Sequence, residues 1–560
     1  MMAQASNLGD QYIAAWKTFH PSKAANQGLH EAIFLYEDRS HSNIQDWIRL
    51  NKKFQIQLSN SKSDYVRNFP IDSRLLKIQV QAELDKWETL AQQEKNLGMY
   101  TSLLGNAISS IFNARYLDVQ DQNRLICDRL SAMITLCESA QQNLKTGSRT
   151  ELSRALNRLA ANRANLQNTL STQMETLGMQ ATCSDFSERI DKTLKAMEAL
   201  GNFVEQELLP KAQSTEPILG REEYARRLAL YTDSPLSPET LSEIAVEEIR
   251  IVRQLMGEVS TNYLKKTYPQ RALPDALEER VSLALADMEK DAPLDGADYL
   301  SFWQDLATQA VDFIKEKEIA TLPEFQTLRI MTAPESAGPA ARIGWVDAAP
   351  PFDPNPVTTL YLPSIPDTFP QQERIDFWSS FNKPFNRMIV IHELYPGHYM
   401  QIKISRETAH PVRLLFPYAP YFEGWATFTE RVLLDAGWEK ERQLTFLAHL
   451  RKRIENANRA YTSVQVHCYG WTAEQVLEFS TETSLLAPQF AKSLWGRIMR
   501  SPMQLTSYFW GGQQFTQLLA TEKERLGDQF VLKDFMDMIM RAGAIPIDDF
   551  PELLKAKSSK

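Results

Sequence analysis

One short stretch determines how this sequence is interpreted: His392-Glu393-Leu394-Tyr395-Pro396-Gly397-His398, which follows the apolar residues 388–391. Glu423 comes 25 positions after the second histidine. Two imidazoles and a downstream carboxylate form a three-ligand set suited to catalytic zinc, which keeps a fourth position for water. Glu393 lies beside the first imidazole, where a general base is needed. The pattern predicts a metal centre with ligands at His392, His398 and Glu423.

The spacing of the two histidines requires a bend in the backbone. A four-residue spacing would place both on one helix face, but here they are six positions apart. On a regular helix this leaves them roughly 120° out of line and about 9 Å apart along the axis. Pro396 cannot donate to the carbonyl of His392 and crowds it, and Gly397 adds backbone freedom. We expect the helix to break or bulge here, so that His398 returns toward His392. The alternative is a buried helix that holds two histidines without a metal.

The motif resembles that of a large, mostly bacterial family of gluzincin-like metalloproteins. The residues that carry the likeness are the H-E-x-x-P-G-H-x-x-Q pattern, which ends at Gln401, and the Glu-Gly-Trp-Ala sequence that begins at Glu423. That family is catalogued chiefly as a domain of unknown function and is often labelled a candidate zinc peptidase. A less specific likeness extends over nearly the whole chain, in residues 20–30, residues 220–224, Arg459, His467 and residues 502–511.

The resemblance implies a mainly α fold of the large helical zinc-metallopeptidase type, with the three ligands named above. It does not imply a substrate. The chain departs from the family at one position: Trp495 stands where relatives usually have an acidic residue, two positions before the arginine that corresponds to Arg497. Any polar contact made by that acid in relatives is in doubt here.

Hydrophobic periodicity predicts helices along most of the chain. Residues 44–207 are amphipathic with few glycines or prolines, and residues 208–220 are typical of a linker. Ser237 and Pro238 fit an N-cap and a first helical turn, with helices continuing to about residue 320. We expect an N-terminal helical lobe over 1–215 and a catalytic metal-binding lobe over 216–560, forming one continuous structural unit with a cleft between them.

Strand character is confined to the region just before the metal motif. Residues 327–332, 342–346 and 358–362 are short, β-prone and bounded by Pro, Gly or Asp, which predicts a small sheet. Such a sheet could lend an edge strand to an extended substrate, or it could simply cover the core.

Composition excludes some classes of protein and favours one compartment. The net charge of −9 and the lack of a basic run argue against nucleic-acid binding. Residues 1–26 lack the apolar core of a secretory signal, and no stretch is apolar enough to span a membrane. The four cysteines, 127, 137, 183 and 468, have no C-x-x-C spacing, so we expect them to be reduced and mostly buried in a cytoplasmic protein.

Several further residues are candidates for roles around the metal. Tyr508 is the first candidate for an oxyanion donor, although a core aromatic is the alternative, and a protonated His467 is the second. Arg459 and Arg497 are candidates for binding a substrate carboxylate, or else they form structural ion pairs. Glu430 lies two turns beyond Glu423 and could orient a ligand histidine, or it could be a solvated carboxylate.

These residues predict a zinc-dependent hydrolase that cleaves peptide or amide bonds. The expected cofactor is one zinc ion per chain, with another divalent transition metal possible in its place. The expected partner is a peptide or small amide substrate, with no nucleic acid and no membrane, and the sequence does not indicate an oligomeric state. The alternatives are hydrolysis of a non-peptide amide or ester, and a non-catalytic binding protein on the same fold.

Overall fold

The computed structural model describes residues 7–176, 178, 183–214, 218–324 and 327–558, with side chains up to residue 555. Its contacts divide the chain into two units, Met1–Pro217 with Phe352–Pro354, and Ile218–Pro351 with Asn355–Lys560. The prediction of a mainly helical chain with a small sheet is confirmed. The lobe boundary at 215/216 and the cleft between the lobes stay predictions.

The first unit is built from helices around an apolar core. Leu152, Ala155, Leu159 and Leu166 recur at helical spacing and are buried, which gives α8 one apolar face. That face packs in a core cluster shared with α6, α7 and α10, so these leucines serve a bundle and not a free coiled coil. The described α-helices of this unit are α1 Leu8–Phe19, α2 Pro21–Asn26, α3 His41–Ser59, α4 Asp64–Asn68, α5 Pro70–Leu84, α6 Leu97–Asn113, α7 Val119–Asn143, α8 Arg149–Asn168, α9 Leu170–Thr176 and α10 Phe186–Phe203.

A buried carboxylate explains part of the N-terminal segment 20–30. Glu83 accepts hydrogen bonds from His20 Nε2 at 3.0 Å, Trp47 Nε1 at 2.9 Å and Trp87 Nε1 at 2.8 Å. Burial lowers the pKa of His20 to about 4, more than the nearby Glu83 charge raises it. The imidazole is therefore a neutral donor that satisfies a buried acid, and this cluster is structural.

A disulfide corrects the prediction that all four cysteines are reduced. Cys127 on α7 is bonded to Cys183, just before α10, with the two Cα atoms 6.1 Å apart. The two residues are 56 positions apart in sequence, so only the packing of α7 beside α10 brings them together. Cys137 is buried and Cys468 is partly buried, and both are free.

The second unit contains long helices and the sheet. Helix α12 begins as predicted, because Ser237 accepts a hydrogen bond from the Thr240 N–H at 3.0 Å and Pro238 occupies the first turn. Helices α12 and α20 pack along each other over an apolar interface. The described α-helices are α11 Arg221–Thr232, α12 Pro238–Thr267, α13 Leu277–Lys290, α14 Gly296–Glu316, α15 Gln371–Ser380, α16 Lys383–Glu393, α17 His398–Thr408, α18 Pro411–Leu415, α19 Ala419–Asp435, α20 Gln443–Tyr469, α21 Ala473–Glu478, α22 Pro488–Arg500, α23 Pro502–Leu526, α24 Leu532–Ala542 and α25 Phe550–Ser558.

The three predicted strands are confirmed as one small sheet in the order β1-β3-β2. Its strands are β1 Leu328–Thr332, β2 Trp345–Asp347 and β3 Thr358–Leu362. Strand β3 pairs in parallel with β1 and antiparallel with β2. The N–H of Thr327 donates to the Tyr399 hydroxyl at 2.9 Å, so the start of β1 is tied to α17 one residue after His398.

Two glycines allow α19 and α23 to pack unusually closely. A Cβ atom at Gly424 would lie 2.5 Å from the main chain of Gly511, and a Cβ at Gly511 would overlap the carbonyl oxygen of Pro420. Main chain, unlike a flexible side chain, cannot move aside locally. This close contact holds the helix that carries Glu423 against the helix that carries Tyr508.

The disulfide predicts the number of reactive thiols. Protein purified without reductant and then denatured should show two free thiols per chain by reaction with a thiol reagent, because Cys127 and Cys183 are bonded. Reduction before the assay should raise the count to four. Four reactive thiols without reduction would contradict the bond.

Closing the gap between α19 and α23 should destabilise the fold. We expect Gly511→Ala to lower the free energy of unfolding by about 1–3 kcal/mol, because the added Cβ overpacks a main-chain contact. Gly496→Ala on α22 is the matched control, since its Cβ would meet only the far end of the Arg500 side chain. Denaturant melts of both variants test this, and equal stabilities would argue against the close contact.

Candidate metal centre

The predicted break in the helix is confirmed between the two histidines. Helix α16 ends at Glu393 and α17 begins at His398, with a cis peptide bond between Tyr395 and Pro396. The N–H of Gly397 donates to the carbonyl of Ile391 at 3.0 Å. A Cβ at Gly397 would overlap the carbonyl oxygen of His392, so only glycine fits where the chain folds back on α16.

Helix α19 is fixed to this turn by a buried indole. Trp425 Nε1 donates to the carbonyl oxygen of Pro396 at 2.9 Å, and Trp425 itself is fully buried. The indole is two residues from Glu423, so the same contact sets the distance between the turn and that carboxylate. Trp425 therefore positions the site as well as filling the core.

The structure brings His392, His398 and Glu423 together. The Oε2 atom of Glu423 lies 3.5 Å from Nε2 of each histidine. The two imidazole rings are nearly perpendicular, with centroids 4.9 Å apart. One possible ligand atom from each residue lies within 4.8 Å of the other two.

The donor set and its spacing fit a zinc ion. Donors about 2.0–2.1 Å from a tetrahedral zinc lie roughly 3.3 Å from each other, close to the two nitrogen–oxygen distances above. Two imidazole nitrogens and one carboxylate oxygen are also the donor types of catalytic zinc sites with a fourth position left open. These residues therefore suit a zinc ion by chemistry and by separation.

Glu423 and His392 shift each other's pKa strongly. Burial raises the pKa of Glu423, but hydrogen bonds with His392 and His398 outweigh it and hold the pKa well below its ordinary value. Burial lowers the pKa of His392, but hydrogen bonds with Glu423 and Glu430 raise it to about 10. Such an environment favours bound positive charge, either a proton or a metal ion.

Glu430 is wholly buried and is shared by two imidazoles. It accepts a hydrogen bond from His392 Nδ1 at 2.8 Å and another from His449 Nδ1 at 3.1 Å. An ionised carboxylate only accepts, so both Nδ1 atoms carry the proton. Burial raises the pKa of Glu430, but these hydrogen bonds lower it to about 2, which keeps it ionised. The His392 Nε2 atom therefore faces Glu423 and is left to hold a proton or a metal ion.

His449 is a site residue that the sequence did not single out. It lies on α20, is buried, and contacts the site only through Glu430. The one clue was that it belongs to the five histidines that fall between residues 392 and 467. Its spacing from the motif carries no pattern, because α19 and α20 meet only in the tertiary structure.

Tyr508 lies beside Glu423, at the end of a chain of hydrogen bonds. Its hydroxyl is within hydrogen-bonding reach of the Glu423 carboxylate. Gln504 Nε2 donates to the Tyr508 oxygen at 3.1 Å, and Arg497 Nη2 donates to Gln504 Oε1 at 3.3 Å. Burial raises the pKa of Tyr508, and the charge of Glu423 raises it further, so the phenol is protonated at neutral pH.

The two predicted arginines differ in their surroundings. Arg459 is buried, forms an ion pair with Glu455, and lies 4.9 Å from the centroid of the Tyr508 ring. Arg497 is partly exposed and reaches Tyr508 only through Gln504. Glu393 is also partly exposed and is the last residue of α16, directly beside His392.

His467 does not join these residues. Its Nδ1 accepts from the Leu219 N–H at 3.3 Å and its Nε2 donates to the Ile498 carbonyl at 3.1 Å, so both nitrogens are used by main chain. Burial lowers the pKa of His467, which opposes the protonated form required of an oxyanion donor. The predicted catalytic role does not fit this position. Trp495, the departure from the family, packs in a small apolar cluster with Ile498.

Tyr231 is a second residue that the sequence missed. It lies near the end of α11, and burial raises its pKa to about 12. The charge of Glu423 and the neighbouring Tyr508 raise the pKa further, and a hydrogen bond with Ser507 lowers it. Nothing in the local sequence distinguishes it from an ordinary helix tyrosine.

A cavity of about 80 Å³ lies among α12, α19, α20 and α23. Tyr508 and His449 line it, and both belong to the hydrogen-bonded groups around the ligands. Its other walls are both polar and apolar, including Arg453, Asn456 and Phe509. The cavity thus borders two residues that support the candidate ligands, and none of the three candidate ligands is among the residues that line it.

Two solved structures share this fold. One is described as a "putative lipoprotein of unknown function" from Shewanella oneidensis, with 19% identity and a TM-score of 0.84, covering 99% of this chain and 100% of that chain. The other is described as a "putative lipoprotein" from Colwellia psychrerythraea, with 17% identity and a TM-score of 0.67, covering 96% and 97%. At these identities the likeness shows the fold alone.

The described helices and the sequence were also compared with membrane-spanning segments, curated proteins and protein families. Among the described helices, none has both the length and the apolar character needed to cross a membrane. No curated protein matches the sequence. The sequence matches the family described as "Bacterial protein of unknown function (DUF885)" over residues 21–554, and the chain therefore belongs to that family.

Proposed function

We propose that this protein is a gluzincin-like, metal-dependent hydrolase that cleaves peptide or amide bonds. His392, His398 and Glu423 would hold one zinc ion, or another divalent transition metal, per chain. The observation that carries the proposal is the convergence of these three donors beside Glu393, with a buried carboxylate behind the first histidine. When bound, the ion supplies Lewis-acid activation of water, whose pKa zinc lowers toward about 7.

Glu393 is the proposed general base. It is the last residue of α16 and is partly exposed, so its carboxylate can reach a water molecule held at the centre. The carboxylate accepts a proton from that water and later returns it to the leaving amine nitrogen. This role needs no change in the fold, because Glu393 neighbours a ligand in sequence and in space.

Tyr508 is the proposed donor to the substrate carbonyl oxygen as negative charge develops on it. Its oxygen accepts a hydrogen bond from Gln504, which in turn accepts one from Arg497, so the Tyr508 proton is directed to the side of Glu423. Its raised pKa keeps that proton in place at neutral pH. A donor fixed before reaction lowers the barrier because it needs little reorganisation.

Peptides are favoured over small metabolites by the position of the sheet. Within the described residues, β1 pairs only with β3, so its other edge can accept an extended chain. The start of β1 is tied to α17 beside His398 through Tyr399. An extended peptide on this edge would lie close to the candidate centre.

An oxidising compartment is the proposed location, in place of the cytoplasm expected from the sequence. The disulfide Cys127–Cys183 supports it, because such bonds persist mainly outside the cytoplasm. Both structural neighbours are described as "putative lipoprotein", which supports it as well.

Replacing the proposed base should abolish turnover without loss of metal. For zinc-loaded protein assayed on a panel of short peptides and N-acyl amides, we expect Glu393→Gln to lower kcat by about 10²–10⁴-fold. Zinc content, measured by elemental analysis, should remain at one ion per chain. Glu441→Gln, an exposed acid at the end of a turn, is the control and should keep full activity. Full activity of Glu393→Gln would refute the mechanism.

Because Glu430 is shared by His392 and His449, a change at His449 should alter metal affinity although His449 is not a ligand. We expect His449→Phe to weaken zinc binding roughly 10–100-fold, because Glu430 loses one donor and orients His392 less firmly. His449→Gln, which can still donate, should retain more affinity. Competition with a chelator measures both, with His41→Phe, an exposed histidine in the first unit, as the control. Unchanged affinity in folded His449→Phe would show that His449 does not support the centre.

A further inference from the structure

Two cations converge on Tyr508, the residue next to Glu423. The ammonium nitrogen of Lys452 on α20 lies 5.9 Å from the centroid of the Tyr508 ring. The guanidinium of Arg497 on α22 reaches the Tyr508 oxygen through Gln504. The side chains involved are all partly exposed, so a ligand can approach them: Lys452, Arg497, Gln504 and Tyr508.

Neither cation is neutralised by the protein. Among the residues that the structure describes, Lys452 and Arg497 form no ion pair, and neither has a further partner. Nearby arginines differ: Arg459 pairs with Glu455, and Arg453 donates to Glu248 at 2.7 Å. Arg459 and Arg453 therefore each have a carboxylate partner, and Lys452 and Arg497 do not.

Charge at the centre accounts for only one of the two cations. The carboxylates of Glu423, Glu393 and Glu430 carry three negative charges against the two positive charges of a divalent ion. Lys452 and Arg497 then leave one positive charge in excess beside Tyr508. Lys452 has three N–H donors and Arg497 has four besides the one used on Gln504, so both can bind an acceptor.

We propose that Lys452 and Arg497, the latter held beside Tyr508 by Gln504, form a subsite for a carboxylate group of the substrate. This inference rests on the proposed function and names the substrate class as a peptide that carries a negative charge close to the bond that is cleaved. The carboxylate could be the C-terminal one, as in an exopeptidase substrate, or an acidic side chain. Both sources present the same planar acceptor to the two cations.

Binding to a protein that cannot turn over separates the two sources. Zinc-loaded Glu393→Gln is titrated by calorimetry with two pairs of short peptides that differ only in one charge. The first pair has a free C-terminal carboxylate or a C-terminal amide and no acidic side chain. The second pair is amidated and ends in Glu or Gln. We expect the charged member of at least one pair to bind roughly tenfold or more tightly.

Substitution of the lysine tests whether the preference arises at this subsite. We expect Lys452→Met, in the Glu393→Gln background, to remove most of the preference for the charged peptide and to leave the Kd of the uncharged peptide unchanged. Lys265→Met, an exposed lysine on α12, makes the same change in net charge and should keep the preference. Arg497→Gln is the second variant, used if Lys452→Met does not fold.

The outcomes separate this inference from the proposed function. Equal binding within both pairs, binding of no peptide, or a preference that survives both substitutions would overturn the carboxylate subsite. Absence of hydrolysis by the unsubstituted protein, with the charge preference intact and sensitive to Lys452→Met, would instead overturn the peptidase and leave the subsite standing.

Discussion

The arrangement of the candidate site depends on one fully buried charge, the carboxylate of Glu430. Removing an ionised carboxylate from water costs several kcal/mol unless hydrogen bonds replace its hydration. Here two imidazoles replace it, His392 from α16 and His449 from α20, while Glu430 itself is on α19. Three helices must therefore keep a fixed separation for this charge to be buried, and that requirement also fixes where His392 Nε2 points.

Close main-chain contacts hold the same helices from other sides. Gly397 lets the chain fold back on the end of α16, and Gly424 lets α19 approach α23 at Gly511. Trp425 joins the turn and α19 by a hydrogen bond to the Pro396 carbonyl. Gly424 and Trp425 thus have opposite sizes for two different contacts. The glycine lets α19 approach α23, and the indole holds α19 to the turn before α17.

Local patterns predicted a large part of the fold and of the site. The bend between His392 and His398 followed from proline and glycine chemistry, and the three strands followed from β-prone segments bounded by turns. The failures concern contacts between distant segments. Cys127 and Cys183 pair only because α7 packs beside α10, and His467 uses both ring nitrogens on main chain far away in sequence. No spacing rule carries that information.

The sequence by itself determined the break between the two histidines, and it placed the candidate ligand His392 next to the proposed base Glu393, because these features depend on neighbours along the chain. Only the tertiary structure decided that His449 shares Glu430 and that Tyr508 lies beside Glu423. It likewise decided that Lys452 approaches the Tyr508 ring while Arg497 reaches the Tyr508 oxygen through Gln504. Those contacts come from helices whose relative positions are set by packing of whole faces, which no single segment encodes.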